Sequence, residues 1–318
     1  MIEKKALASL LFAALGCLSC QGEAPAGAAP SSSSAAAAPG ASGAPGAAAA
    51  KADSNRIVVV GGPLTEIVYA LGAGDKVVAV DLTSVYPPEA AQKPKVGYQR
   101  TLAAEAILSQ KPGLILLASE AGPPAAIEQL QSTGLAVHVI PSEDSLPGVE
   151  KKIRGVAKVL GVVDAGEALV KKLNTEAEAS RALLSSAKTK PKVVFIYSRS
   201  PGALMVAGRN TPADALIAAA GGENPIQGYE GFKPLTAESL TAAAPDVLLV
   251  PDHSMESLGG AAGVIGQPGA ALTPAGKNGK VVTMEDALVI GFGPRSGAAI
   301  GALARKIHPE LATAPPDR

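Results

Sequence analysis

The chain has 318 residues, 47% of them hydrophobic and 18% charged, with 28 basic side chains against 28 acidic ones. That is enough apolar material for a substantial core, and the length suggests two modest domains. A formal net charge of zero offers neither a basic face nor an acidic tail, which argues against a DNA or RNA partner.

The chain opens on Lys4 and Lys5, continues with the apolar run from Ala6 to Leu15, and then reads Gly16-Cys17-Leu18-Ser19-Cys20. A charged start, a short apolar stretch and small residues make an export signal over residues 1–20, too short to span a bilayer permanently. A Cys after small residues resembles the lipobox of bacterial lipoproteins, with Cys17 or Cys20 as the acylated residue. Neither has the usual Leu three positions earlier, and an ordinary signal peptide that contains cysteines is the competing reading. Residues 21–55 are Ala, Pro, Ser and Gly with almost no large apolar side chain, a composition expected to form a disordered tether. The folded part has no Cys and suits an oxidising compartment.

From Arg56 onward, short β-branched runs alternate with helical patterns. Buried strands are expected over 57–60, 77–80, 114–118 and 136–140, with helices over 64–71, 103–110 and 124–132 between them. This βαβ grammar predicts a mostly parallel sheet and a first lobe over 56–145. Ser145-Leu146-Pro147 then opens a helix whose Val149, Ile153, Val156, Ala157 and Leu160 recur at helical spacing, closed by Gly161. Asp164 and Glu167 form a capping-box-like start to a second helix reaching about Ser186. Helix over 146–188 with no strand suggests a rigid connector, although two ordinary helices packed on the first lobe give the same pattern. A second lobe over 189–310 repeats the first grammar, with strands over 192–197, 204–207, 246–250 and 280–284, a helix over 212–220 and a closing helix from about 295 to 307. The expected fold class is therefore α/β, two Rossmann-like lobes joined by a long helical connector.

One internal repeat ties the lobes together. Leu102, Glu105, Ile107, Pro112 and Leu114 align without gaps on Leu235, Glu238, Leu240, Pro245 and Val247, at a constant offset of 133. The lobes are thus related structures. Upstream, Gly97-Tyr98 has a counterpart in Gly228-Tyr229, and loops at the carboxyl ends of parallel strands line the ligand crevice of such folds. Tyr98 and Tyr229 are therefore expected to face one cleft.

The chemistry of the chain favours recognition over catalysis. There is no G-x-S-x-G, no Walker A loop and no G-x-G-x-x-G after the first strand. His138, His253 and His308 stand apart, with no spacing suited to a zinc or manganese site. His138 alternates inside a strand as a core or surface residue, whereas His253 sits in a loop that can face the cleft. Arg100, Arg209 and Arg295 lie in Gly-flanked loops near strand ends or helix starts, where an Arg fork suits a carboxylate; each is also readable as a solvated loop cation. Tyr98 stands two residues before Arg100, as a Lewis-basic oxygen beside a cation or as a loop Tyr covering a helix end.

The segments Ser84-Val85-Tyr86-Pro87-Pro88, Val96-Gly97-Tyr98-Gln99-Arg100-Thr101-Leu102, Ala121-Gly122-Pro123-Pro124, Ala207-Gly208-Arg209-Asn210-Thr211, Thr273-Pro274-Ala275-Gly276 and Gly291-Phe292-Gly293-Pro294-Arg295 resemble those of the haem-binding periplasmic proteins that feed ABC importers. The resemblance runs from about Arg56 to Ile307. It implies two lobes with haem in a shallow cleft, Tyr98 as axial ligand of the iron, and Arg100 as its hydrogen-bonding neighbour. It also implies Arg209, and more weakly Arg295, as propionate partners, with Tyr229 or His253 as a sixth ligand. Glu105 and Glu238 are implied to dock on the permease, although an acid in a helix's first turn is favoured by the helix dipole alone. Some relatives carry a His in the loop after the first strand of the second lobe; here that loop, Ser198 to Gly202, has none, so a single haem is expected.

The expected protein is thus a monomeric receptor, exported and held at the membrane only through a lipid. A receptor for a ferric siderophore or corrinoid is the alternative, since it would use the same cleft without an axial Tyr. An enzyme on the same scaffold would need a converging acid/base set that the chain does not offer.

Overall fold

The structure, a computed structural model, describes residues 55–200 and 203–311, with backbone alone at 199 and 200. The export signal, nearly all of the tether and both candidate cysteines lie outside the described residues.

Lobe one contains β1 (Ile57–Val60), α1 (Gly62–Ala70), β2 (Val77–Val80), α2 (Pro88–Ala91), α3 (Ala104–Leu108), β3 (Leu114–Ala118), α4 (Pro124–Ser132) and β4 (Ala136–Ile140). Its four strands are parallel, in the order β2-β1-β3-β4. The two central strands are buried along their whole length, as strands covered on both faces must be. β4 departs from the expectation. It is an edge strand with Ala136, His138 and Val139 exposed, and only Ile140 fully buried.

Next come α5 (Leu146–Leu160) and α6 (Val163–Leu184). Ser145 caps α5 by accepting a bond from the Gly148 amide at 3.1 Å, and Gly161 ends it in the left-handed region at φ 72°. With 22 residues, α6 is about 33 Å long. It starts at Val163 rather than at a capping Asp164, which falls in the first turn. The side chain of Glu167 is drawn away from the helix start to pair with Arg154 of α5 at 2.8 Å.

Lobe two contains β5 (Val193–Ser200), β6 (Ala203–Ala207), α7 (Pro212–Ala219), β7 (Phe232–Pro234), α8 (Ala237–Ala243), β8 (Val247–Pro251), α9 (Asp252–Ser257), α10 (Gly260–Ile265), α11 (Pro274–Lys277), β9 (Val281–Met284), α12 (Asp286–Ile290) and α13 (Ser296–Ile307). The strand order is β7-β6-β5-β8-β9. β5, β8 and β9 are parallel, but β6 is antiparallel to β5, and β7 to β6. This sheet is therefore mixed. Only residues 201 and 202 separate β5 from β6, which is enough for a hairpin and far too few for a parallel crossover.

The repeat survives in the architecture, because α3 and α8 begin at Ala104 and Ala237, while β3 and β8 begin at Leu114 and Val247. Strand alternation then distributes the core. Ile57, Val59, Leu114 and Leu116 of lobe one, and Val193 and Phe195 of lobe two, join one apolar cluster with Ile153, Val156, Val170, Leu173, Ile300 and Leu303 of α5, α6 and α13. Val58, Val60, Ile115 and Leu117 point to a separate outer cluster over α3 and α4. Val194, Ile196, Leu248 and Val250 do the same in lobe two. The helices that connect the lobes are accordingly also part of a core shared by both sheets.

Candidate functional site

Tyr98 is presented by a loop strapped on both sides. The Val96 amide donates to Val80 at 3.0 Å and the Leu82 amide to Gly97 at 2.9 Å, which lays the segment along the carboxyl end of β2. Gly97 turns the chain at φ 104°, with nothing within 4 Å of where a Cβ would stand, so glycine is required there by backbone conformation and not by space. The Thr101 amide donates to the Tyr98 carbonyl at 2.9 Å, closing a turn with Gln99 and Arg100 at its centre. Gly122, after β3, donates to Gln99 and accepts from Leu102. The result is a phenol held out at the carboxyl ends of β2 and β3, 41% exposed.

Neither the Tyr98 hydroxyl nor the Arg100 guanidinium has a hydrogen bond or ion pair among the described residues, and the two do not bond each other. Leu82 and Val85, in the loop after β2, are 54% and 51% exposed, unusual for such side chains. Their loop is held by Asp81, whose buried carboxylate accepts from the Gly61 amide, the Thr83 amide and hydroxyl, and the Ser84 hydroxyl. An exposed phenol, a guanidinium without a partner among the described residues and two exposed apolar side chains thus lie on two loops joined by the Leu82–Gly97 bond. No periodic signal marks Leu82 and Val85, since loop residues have no repeat to be read from.

The second tyrosine is used otherwise. Tyr229 donates its hydroxyl to the Val206 carbonyl at 3.2 Å, its ring packs on the outer cluster of lobe two under the Lys233 ammonium, and burial raises its pKa. Strand register separates it from Tyr98 as well. Ile196 pairs with Val206 and Tyr197 with Met205, so β6 runs down towards the start of β5, away from the carboxyl ends. Arg209 lies past that lower end, bonded through its backbone to Tyr229 and Gly231, with Glu230 at 3.6 Å. This antiparallel strand carries Tyr229 and Arg209, expected to share a cleft with Tyr98, away from the carboxyl ends of β5 and β8.

Arg295 is also engaged, and by both lobes. Its Nε and Nη2 donate to the two oxygens of Glu66 in α1, each at 2.9 Å, while Nη1 and Nη2 donate to Glu285 at 2.7 and 2.8 Å. The guanidinium lies 3.5 Å over the centre of the Tyr86 ring. Arg295, implied as a propionate partner, is bonded in this structure to Glu66 of lobe one and to Glu285 of lobe two. The preceding glycines are explained by the same contact: a Cβ on Gly291 would come within 2.9 Å of Pro63, and one on Gly293 within 3.2 Å of Glu66. The Phe292 carbonyl accepts from the buried Lys152 ammonium of α5 at 3.0 Å. Burial raises the pKa of Glu66 despite Arg295, and burial lowers that of Lys152.

Glu105 and Glu238 are both exposed in the first turns of α3 and α8. Glu105 accepts from Gln129 of α4 at 3.0 Å, a bond that keeps its pKa below the usual value. The backbone of exposed His253, in α9, donates to Asp286 at 3.2 Å. His308 is buried against the Ala220 carbonyl at 3.0 Å, and His138 stands on the exposed edge of β4. No group of three or more His, Cys, Asp or Glu suited to a metal ion occurs among the described residues.

A family model described as periplasmic binding protein matches residues 57–288. Among solved structures, the periplasmic heme-binding protein RhuT from Roseiflexus sp. RS-1, in apo form, is 42% identical, with 80% of this chain and 98% of that chain covered and a TM-score of 0.77. The periplasmic heme-binding protein BhuT, in complex with two hemes, is 40% identical over the same shares of the two chains, with a TM-score of 0.76. Curated relatives are more distant. An uncharacterized ABC transporter substrate-binding lipoprotein of Bacillus subtilis (strain 168) is 27% identical, covering 82% of each chain. A vitamin B12-binding protein of Vibrio campbellii is 26% identical, covering 66% of this chain and 75% of its own.

Proposed function

Because this chain belongs to the periplasmic binding protein family, we propose that it is the haem receptor of an ABC importer, taking up ferric haem outside the cytoplasmic membrane and handing it to a permease. The observation that carries the reading is Tyr98, a phenol displayed at the carboxyl ends of β2 and β3 with no internal hydrogen bond among the described residues and exposed Leu82 and Val85 in the adjoining loop. Two solved structures at 40% identity or more are named as periplasmic heme-binding proteins, which supports the haem part of the reading.

Such a surface suits a flat apolar macrocycle with a metal at its centre. The Tyr98 oxygen ligates ferric iron as phenolate, and Leu82 and Val85 cover the apolar rim. Arg100, two residues on, is free to bond the ligating oxygen or a propionate. With Arg209 paired to Glu230 and Arg295 to Glu66 and Glu285, Arg100 is the cation we assign to this site. Glu105 and Glu238 address the permease, one from each lobe. Cys17 or Cys20 carries the lipid that keeps a monomeric receptor near its importer, and a membrane-fractionation comparison of Cys17→Ser with Cys20→Ser assigns the residue.

A corrinoid receptor is the second reading, favoured by the vitamin B12-binding relative. A corrinoid brings its own cobalt and its own ligands, so it has no use for Tyr98. Titration with hemin, cyanocobalamin and a ferric siderophore, read by absorbance for the wild-type protein and for Tyr98→Ala, decides between them. The haem reading expects tyrosinate-type high-spin ferric haem that is lost in the variant; hemin affinity unchanged in Tyr98→Ala overturns it. The same titration gives the stoichiometry, expected to be one.

A further inference from the structure

The joint between the lobes is built from charge. Arg295 commits both edges of its guanidinium to carboxylates, Glu66 in lobe one and Glu285 in lobe two, and one face to Tyr86. Glu66 is nearly inaccessible, its side chain 4% exposed. Lys152, 3% exposed, adds a second tie to the Phe292 carbonyl. The charged and titratable groups facing this joint are Glu66, Glu285, Tyr86 and Lys152, with Asp144 and Glu120 acting on Lys152 from the loops after β4 and β3.

The location matters as much as the bonds. Glu66 follows β1, Tyr86 follows β2, and Glu285 follows β9, so the joint lies at the carboxyl ends of strands, the same side on which Tyr98 is displayed. Tyr86 belongs to the loop that carries Leu82 and Val85. Moving Arg295 therefore moves both the spacing of the lobes and one border of the ligand site.

We infer that Arg295 is a positioning residue for that site: by tying Glu66 to Glu285 it sets the separation of the two lobes there, and thereby the rate at which a bound ligand leaves. The inference rests on the haem reading above. The tie depends on one buried charge: with Glu66 neutral, Arg295 keeps only its pairing with Glu285 and the link between the lobes weakens. Glu66 is the member to neutralise. Its carboxyl has a pKa raised by burial, so the ion pair is complete at higher pH and is lost as pH falls through that raised value. The tie then loosens in mild acid while Glu285 still holds Arg295 within lobe two.

The test uses the full-length protein and three conservative variants: Glu66→Gln, Arg295→Lys and, as a safeguard should Glu66→Gln melt early, Glu285→Gln. Hemin dissociation is followed by transfer to excess apomyoglobin across a pH series, and amide exchange at 291–295 is followed in the haem-free protein. Wild-type release is expected to accelerate in mild acid. Glu66→Gln should release hemin about five- to tenfold faster at neutral pH and lose the acid-dependent acceleration, the low end of coupling between a conformational element and a binding site. Arg295→Lys should fall between the two, and exchange at 291–295 should rise in each variant. Off-rates, pH profiles and exchange that match wild type in all three overturn the inference and leave the haem reading intact. If the haem reading fails instead, hemin binding survives Tyr98→Ala, whereas the exchange result still reports on the joint. A purely stabilising Arg295 would lower the melting temperature without flattening the pH profile of Glu66→Gln.

Discussion

The hydroxyl of Tyr229 donates to the main-chain carbonyl of Val206, 3.2 Å away. Its counterpart in the repeat, Tyr98, makes no such bond among the described residues. The repeat has therefore divided its two tyrosines between holding the fold and facing solvent.

Substitution at the two positions should separate these roles. Tyr98→Ala is expected to lower hemin affinity at least a hundredfold, about 2.7 kcal/mol, with little change in stability. Tyr229→Phe is expected to keep hemin affinity and to cost about 1 kcal/mol of stability, the loss of one part-buried hydrogen bond. Absorbance titration and chemical denaturation of both variants check the pair.

Gly97→Ala isolates the backbone. No atom stands within 4 Å of the added methyl, so any effect comes from φ 104°. A cost of about 1–2 kcal/mol is expected, with weaker hemin binding because relaxation of the turn displaces Tyr98. Denaturation and titration read the two consequences independently.

Glu105→Lys and Glu238→Lys should leave hemin affinity unchanged and reduce receptor-stimulated ATP hydrolysis by the cognate importer, each by about tenfold, because charge reversal opposes docking on-rate and register. The double variant should show no stimulation. Equal stimulation by wild type and both single variants would remove these residues from the interface.

Glu310 provides a pH test of the fold itself. It accepts from the Lys188 and Thr189 amides and the Thr189 hydroxyl, and its pKa is pulled down to about 2, chiefly by the Lys188 amide bond. A carboxyl depressed in the folded state contributes stability above its unfolded pKa, which is lost as pH falls towards the folded value. Glu310→Gln should therefore melt below wild type at pH 7, and the gap should close between about pH 5 and 2.

Where the sequence carried a local physical signal, the structure was legible. α4 occupies the expected residues, Pro124–Ser132, because Pro at its first position and a short apolar face mark it. Ser145 and Gly161 bound α5 as their side-chain and backbone chemistry require. The short helices between Asp252 and Ile290 escaped because four to six residues are too few to show a period. The orientation of β6 was hidden for a different reason: a two-residue hairpin without Asn-Gly is not distinguishable from a break in a strand, and its direction decides which end of the sheet carries Arg209 and Tyr229. Arg295 was legible as a recognition residue but not by partner. Glu66 lies 229 positions earlier, a distance at which sequence spacing says nothing about contact.

The apolar cluster that runs from Ile57 through Ile153, Leu173 and Leu303 to Phe195 has a consequence for how the protein comes apart. Each sheet leaves its inner face to helices that also cover the other sheet, so neither half retains a closed interior once the chain is cut between α5 and α6. Heating the intact protein should give a single calorimetric transition, whose van't Hoff and calorimetric enthalpies agree. A lobe expressed alone should collect as insoluble material. The repeat is double in pattern and indivisible in thermodynamics.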